Sequence, residues 1–375
     1  MPKFASLISD GMRSRGHMVE VWTAAPRAYN LTANQKAKKW LGYIDQYILF
    51  PIILRYRIKK IAADTVFIIS DQALGPWVPA LANRPHVIHV HDFMALRSAL
   101  GEFSQNVLSW SGKLYQKFIR RGFTQGKRFI SVSKKSENDL HRFLSKSVDE
   151  SITVYNGLNY PFHKMTHKEA SRIFSDFGHQ LPKNGFLLHV GGNQWYKNRI
   201  GVLEIYSAYT DKTETPKPLI MIGAPPSKLL KEQAQKINNE SNGEVSFLVG
   251  VPTALVCAAY STAEAFIFPS VAEGFGWPII EAMACGCTVL TTNDAPMTEV
   301  GGESAVYIPP IEEFQNKYSW AKHCAEILAI TLSEEKNITD CQRTKRIAHA
   351  QSFDLEKTLD LYEAAYNRAL QATTK

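Results

Sequence analysis

The chain has 375 residues, 45% hydrophobic and 21% charged, with a formal net charge of +8; this suits two domains of ordinary size and is too apolar for a disordered chain. No apolar run approaches the roughly 20 residues needed to cross a bilayer, and the start lacks the charged, apolar and small-residue order of a secretory signal. Five cysteines (Cys257, Cys285, Cys287, Cys324, Cys341), odd in number and confined to the second half, argue against a disulfide framework and for a reducing, cytoplasmic setting.

In chain order, Pro2–Arg15 reads as a helix and Met18–Thr23 as a strand. A doubly wound domain normally opens on a strand and a glycine-rich turn near the sheet centre. Here that first strand is missing, and unpaired neighbours are costly when buried. We therefore expect a segment upstream of Met1 rather than a rearranged domain. Next comes KAKKWLGYIDQYILFPIILRYRIKK, residues 36–60, which mixes Lys36, Lys38, Lys39, Arg55, Arg57, Lys59 and Lys60 with Trp40, Tyr43, Tyr47, Phe50 and Tyr56. Two readings stay open: a basic, aromatic segment lying on an anionic membrane surface, or a pair of helices packed on the sheet with a solvated charged face. The positive excess of the whole chain favours anionic partners without choosing among them, and no nucleic-acid module is recognisable.

Strand-length apolar runs then alternate with amphipathic helical stretches, the pattern of a parallel α/β sheet. In the first half the runs are Thr65–Ser70, Val87–His91, Arg128–Val132 and Ile152–Tyr155. The second of these, within PHVIHVHDF (85–93), brings His91 and Asp92 to a strand's carboxyl edge, with His89 and His91 on one face. Three histidines (His86, His89, His91) invite a zinc reading, but no fourth ligand is evident and no metal is expected. Ordinary core hydrogen bonding is the plainer role for His89, and an open one for His91.

Residues 161–184, with Pro161 and Pro182, read as a linker holding one short helix. Beyond it lie strand candidates Phe186–Val190, Pro218–Ile222, Val245–Val249, Ala265–Pro269, Thr288–Thr292 and Ser304–Ile308, and a closing helix over Leu355–Leu370. In HVGGNQWYKNR, Gly191 and Gly192 turn the chain after a strand, and Lys197 and Arg199 stand at a helix start, where cations are mildly unfavourable unless an anion joins them. In AFIFPSVAEGFGWPIIEAMACGCTVLTT, a glycine loop at a strand's carboxyl end faces a helix start, with Pro278 at its first position and Gly286 at its end. Open α/β sheets bind ligands there, and exposed amides there favour anions. Glu281, read in the first helical turn, leans back towards the loop, and its two oxygens suit the paired hydroxyls of a ribose. Taken singly, Glu281 is also an ordinary first-turn acid and Glu273 an ordinary solvated loop residue.

EGFGWPIIEAMACG closely resembles the E-x7-E signature of glycosyltransferase family 4, and HVGGNQWYKNR, HVHDF, RGHMVEVWT, FISVSKKSENDL, ITVYNGL and SFDLEKTLDLYEAAY are similar to other segments of that family. The resemblance covers nearly all of the chain except the absent first strand. It implies a GT-B fold, two doubly wound Rossmann-like domains facing a cleft. The acceptor-side domain would span 1–160 and the donor domain 185–354, with the helix at about 355–375 packed back on the first. It implies that Glu281 binds the nucleotide ribose and that Lys197 contacts the donor diphosphate. Glu273 would lie beside the donor sugar with the amides of Phe275, Gly276 and Trp277 around it, and Gly191, Gly192 and Gly274 would line the same donor site. His91 is carried over as a donor-sugar or acceptor contact, and Asp92 as a weaker acceptor-side candidate.

The activity implied is retaining transfer of a sugar from a nucleoside diphosphate, UDP- or GDP-linked, to a hydroxyl of a saccharide or lipid-linked saccharide in cell-envelope or extracellular polysaccharide or glycolipid synthesis. It needs no metal; the chain contains no Asp-x-Asp motif. The expected location is the cytoplasm or the cytoplasmic face of the membrane. Two departures stand out: Gly192 occupies a place where the family often has arginine, and Trp277 one where it often has leucine. A sugar-nucleotide epimerase and a non-catalytic partner subunit remain as alternatives. A nicotinamide oxidoreductase is disfavoured because no G-x-G-x-x-G follows a strand.

Overall fold

The computed structural model describes residues 2–144, 146–335 and 340–372. The chain forms two compact units, one of Met1–Gly157 with Leu355–Lys375 and one of Leu158–Asp354.

The first unit is built on four parallel strands, β1 (Phe67–Ile69), β2 (His86–Val90), β3 (Arg128–Ser131) and β4 (Glu150–Thr153), which lie side by side in sequence order. β2 is buried along its whole length, as a strand covered on both faces must be. Its alternation sends Ile88 and Val90 to one face, where Phe123, Leu140 and the helix Phe50–Ile58 pack. Val87 points to the other, with Ile130 and Val154. That second face is covered by the two ends of the chain: the helix Pro2–Ser14 supplies Phe4, Ile8 and Met12, and the helix Leu355–Gln371 supplies Leu359, Tyr362 and Tyr366.

Met18–Thr23 is not a strand. The segment joins no ladder, and Met18 and Val21 are exposed. What fixes it is side-chain packing: Trp22 meets Phe67 edge-on at 5.9 Å, and the Arg57 guanidinium sits 3.9 Å above the indole while bridging to Glu20 at 2.5 Å. A Val-Glu-Val-Trp-Thr run has strand propensity, but propensity measures fit to a sheet surface, and here water can serve the exposed backbone instead.

The second unit holds six parallel strands: β5 (Leu187–Gly191), β6 (Leu219–Gly223), β7 (Val245–Val249), β8 (Ala265–Phe268), β9 (Val289–Thr292) and β10 (Val306–Ile308). Their order across the sheet is β10-β9-β8-β5-β6-β7, so the direction of winding reverses between β5 and β8. Leu187, Met221, Ile267 and Leu290 share one core with the helices Arg199–Thr210 and Lys317–Glu335. The stretch 161–184, read as a linker, folds with this unit: its helix His167–Asp176 sends Phe174 against Phe186 at 6.4 Å. No helix among the described residues is long and apolar enough to cross a membrane.

Candidate functional site

In a doubly wound sheet the crevice for ligands opens where the winding reverses, at the carboxyl ends of the two strands concerned. Here those are β5 and β8, paired through Leu187–Ala265 and Leu188–Phe266. After β5 the chain runs through Gly191 and Gly192, makes a 3-10 turn over Trp195–Lys197, and enters the helix Arg199–Thr210 through Asn198. Asn198 has φ +49°, a conformation that asparagine tolerates better than most residues. Its Oδ1 accepts from the Gly201 amide at 3.2 Å, capping the helix, and its Nδ2 donates to the Pro269 carbonyl at 3.1 Å. The Val271 amide donates to the Tyr196 carbonyl at 2.8 Å. One cap residue and one backbone bond thus tie the loop after β5 to the loop after β8.

Between those loops, Lys197 Nζ lies 2.7 Å from Glu273 Oε1, with the two side chains 14% and 8% exposed. The ammonium also sits 4.7 Å from the centroid of Phe268. A pair so withdrawn from water has lost most of its hydration and holds only because its partners match. Lys197, placed by sequence before a helix start, therefore touches the glycine loop directly.

Glycines shape the floor. Gly191 pairs with Gly223 across β5 and β6, and Gly223 has φ +146° with its Cβ position overlapping the Gly191 carbonyl. Only glycine lets the two strand ends approach so closely. Beneath them His189 is fully buried, its Nδ1 donating to the Ile267 carbonyl at 2.9 Å. Burial first, then the nearby Arg199 and Lys197 charges, push its pKa down to about 3, so the ring is neutral.

After Glu273, Gly274 leads to Phe275, which is buried against Trp277 and Phe353. Gly276, at φ +108°, caps a helix over Trp277–Ala284. Pro278 is consequently the second helical residue, not the first. Glu281 falls beyond the first turn, which contains no acid, so helix-dipole attraction does not explain it. Glu281 Oε2 instead accepts from the Tyr260 hydroxyl at 3.3 Å; burial and the adjacent carboxylate raise the phenol well above its ordinary pKa, keeping it a donor.

Arg199 is a residue whose part the sequence left open. It is buried, and its Nη1 donates to Asn193 Oδ1 at 2.5 Å and to the Ala224 carbonyl at 2.9 Å. It ties the loop after β5 to that after β6, and burial lowers its pKa. Its Nε and Nη2 have no hydrogen-bond partner among the described residues.

In the first unit, His91 and Asp92 line a cavity holding about 160 Å3 of space open to water, together with Asp71, Gln72, Gln116 and Ile119. His91 Nε2 faces the Ser70 carbonyl at 2.9 Å and must donate there, which leaves Nδ1 as the acceptor. Burial lowers the pKa of His91 and raises that of Asp71. Gln72, which sequence reasoning missed, brackets the histidine: its Oε1 accepts from the His91 amide at 3.0 Å and its Nε2 donates to the Asp92 carbonyl. The available signal was Asp71, whose side chain caps the turn carrying Gln72 by accepting from Ala73 at 2.8 Å. The other histidines have structural partners, His89 the Tyr366 hydroxyl at 2.6 Å, and His86 the Arg84 carbonyl and the Lys127 amide. Among the described residues no group of three or more His, Cys, Asp or Glu is arranged to hold a metal.

Residues 172–329 match the family model for glycosyl transferases group 1, and residues 3–160 match that for glycosyltransferase family 4. The O-antigen chain mannosyltransferase B of Escherichia coli is 26% identical over 197 residues, 52% of this chain and 51% of that protein. The match thus spans about half the length of that relative. The O-antigen chain mannosyltransferase RfbU of Salmonella typhimurium is 23% identical over 76% of this chain and 70% of its own. Among solved structures, the sucrose-phosphate synthase of Thermosynechococcus elongatus superposes with a TM-score of 0.69 at 17% identity, covering 98% of this chain and 93% of that one; the likeness is one of fold.

Proposed function

Because the chain belongs to glycosyltransferase family 4, the group 1 transferases of GT-B fold, we propose that it moves a sugar from a nucleoside diphosphate to an acceptor hydroxyl with retention of anomeric configuration. The observation that carries this reading is the buried Lys197–Glu273 pair between two glycine loops, at the reversal point of the second sheet. In the reaction the anomeric carbon loses its bond to the diphosphate and gains one to the acceptor oxygen. The departing diphosphate carries the developing negative charge, and fixed cations and helix-end amides stabilise such charge best in a site that excludes water. Lys197 supplies the cation and the start of the helix Trp277–Ala284 supplies the amides. Glu281, held by Tyr260, grips the ribose, and Glu273 faces the donor sugar. No metal takes part. The acceptor is a saccharide or lipid-linked saccharide in cell-envelope polysaccharide synthesis, a reading supported by the O-antigen chain in both curated relatives' names, with His91 and Asp92 on the acceptor side.

A panel of UDP- and GDP-linked sugars, assayed by calorimetry and by slow donor hydrolysis with chelator present, tests the reading. Mannose, the sugar in both relatives' names, comes first. One donor is expected to bind, and Glu281→Ala to weaken it about tenfold or more, as loss of a hydrogen bond to a charged group implies. Failure of every donor to bind sinks the proposal. NMR of the product linkage tests retention.

A further inference from the structure

The polar groups around the cavity beside His91 fall into two sets. One set is spent within the protein. Gln72 bonds the His91 amide and the Asp92 carbonyl, and Asp92 Oδ1 accepts from the Met94 amide at 2.9 Å. The other set keeps bonding capacity that no described residue takes up. Asp71 places one oxygen on the Ala73 amide and has its second oxygen left. His91 donates through Nε2 to the Ser70 carbonyl, so Nδ1 is an open acceptor. Gln116, midway along the helix Trp110–Phe123, lines the cavity with its carboxamide unbonded among the described residues. Asp71 and His91 are only 8% and 9% exposed, and polar groups so withdrawn are normally satisfied by something. Asp71 and Gln116 also lie outside every segment that resembles the transferase family, so no motif marks them.

Phe93, Leu96 and Ile119 complete the wall. The volume of about 160 Å3 is small beside the roughly 300–1,000 Å3 of sites for drug-sized ligands, and suits a single ring. Charge narrows the ligand further. Two carboxyl groups, Asp71 and Asp92, line the cavity, and no lysine or arginine does. Basic side chains on the neighbouring helices are committed away from it: Arg97 to Glu102 at 2.8 Å, Lys135 to Asp139 at 2.9 Å, and Arg120 to the Phe143 carbonyl at 3.1 Å. A phosphate or carboxylate seated here would be an unpaired anion among acids, which is costly out of water. Hydroxyl groups fit instead. Each can donate to a carboxylate or an imidazole nitrogen and accept from a carboxamide, while the C–H face of a sugar ring suits the apolar side chains.

We infer that this cavity selects the acceptor by charge: it admits one uncharged sugar ring and turns away phosphorylated and acidic sugars, with Asp71 and Gln116 as the residues that set the choice. The free Asp71 oxygen and His91 Nδ1 accept from ring hydroxyls, and the Gln116 amide donates to another. The inference rests on reading the chain as a transferase whose acceptor binds this unit, but the cavity can be probed with no donor present.

The test is saturation-transfer NMR on the full chain, titrated with the methyl glycosides of mannose, galactose and N-acetylglucosamine, and with mannose 6-phosphate and glucuronate. At least one uncharged glycoside is expected to bind, and both acidic sugars to bind about tenfold more weakly or not at all. Asp71→Asn keeps the cap on Ala73, since asparagine caps as well as aspartate. It is expected to weaken the glycoside about tenfold, the loss of a hydrogen bond to a charged group. Gln116→Lys adds a cation to the wall and should tighten mannose 6-phosphate about tenfold over the parent, with circular dichroism reporting that both variants fold. Acidic sugars binding as well as uncharged ones, no glycoside binding, or a folded Asp71→Asn with unchanged glycoside affinity overturns the inference. So does a folded Gln116→Lys that still refuses mannose 6-phosphate. Donor calorimetry separates the two readings: a donor that binds while no glycoside does sinks this inference alone, whereas failure of every donor with a glycoside still bound counts against the transferase assignment.

Discussion

Lys197 and Glu273 illustrate how a pair proposed to act in the site weighs on stability. Each is nearly buried, so removing one leaves the other charged and unpaired, at about 3–5 kcal/mol. Lys197→Ala is therefore expected to lower the urea midpoint as well as donor turnover. Replacing both, Lys197→Met with Glu273→Met, should restore most of the midpoint while turnover stays lost; recovery of turnover would remove the pair from the chemistry. His189 acts through pH. Its folded pKa of about 3 lies below the ordinary value near 6.5, so folding holds the ring neutral while the unfolded chain takes a proton. The stability this contributes is complete above about pH 6.5 and is lost as pH falls towards 3, at about 1.4 kcal/mol per pH unit. His189→Asn keeps a donor for the Ile267 carbonyl and is expected to flatten that acid slope, read from urea midpoints between pH 7 and 4. An unchanged slope assigns it to His86, His89 and His91, whose pKa values burial also lowers.

Single elements depend on close backbone approach at two places. Gly223 against Gly191 joins β5 to β6. Gly122, in the helix Trp110–Phe123, lies so near Gly75 that a Cβ on either would overlap the other segment's backbone. Gly122→Ala should push that helix off the turn carrying Gln72, costing more than the about 1–3 kcal/mol of ordinary overpacking, because backbone rather than a side chain must yield. Thermal unfolding measures it, and a change under 0.5 kcal/mol would mean the helix can slide. The Gly122–Gly75 contact was not legible in the sequence, where both glycines sit in helical stretches without a motif. The strands were legible because parallel strands buried on both faces read as continuous Val, Ile, Leu and Phe runs. Met18–Thr23 misled because the same residue types also pack one by one, as Trp22 does on Phe67. The glycine loops were legible from the turn chemistry around Gly191, Gly274 and Gly276. Gln72 was not, since a polar residue inside QALGPWVPA has no period to betray it, and Glu281 was misplaced because Gly276 starts the helix one residue earlier than Pro278 suggests.

At the scale of the whole molecule, the first unit is closed by its own termini. Tyr362 is fully buried and edge-on to His89 at 4.7 Å, and no other described helix shares its cluster except Pro2–Ser14. Tyr362→Ala is expected to cost about 3 kcal/mol or more and to fall on this unit alone. Calorimetry should then resolve two transitions, the earlier one shifted by the substitution and the later one moved by donor. A single transition shifting as one would mean the units unfold together.

The helix Trp110–Phe123 also serves two environments at once. Gln116 and Ile119 form part of the wall beside His91, whereas Trp110, Leu114 and Phe118 point the opposite way, since 100° per residue separates the two sets by nearly half a turn. Leu114→Ser, on the exposed row, is therefore expected to leave the wall beside His91 untouched, whereas a change at Ile119 would alter that wall and leave the exposed row as it is.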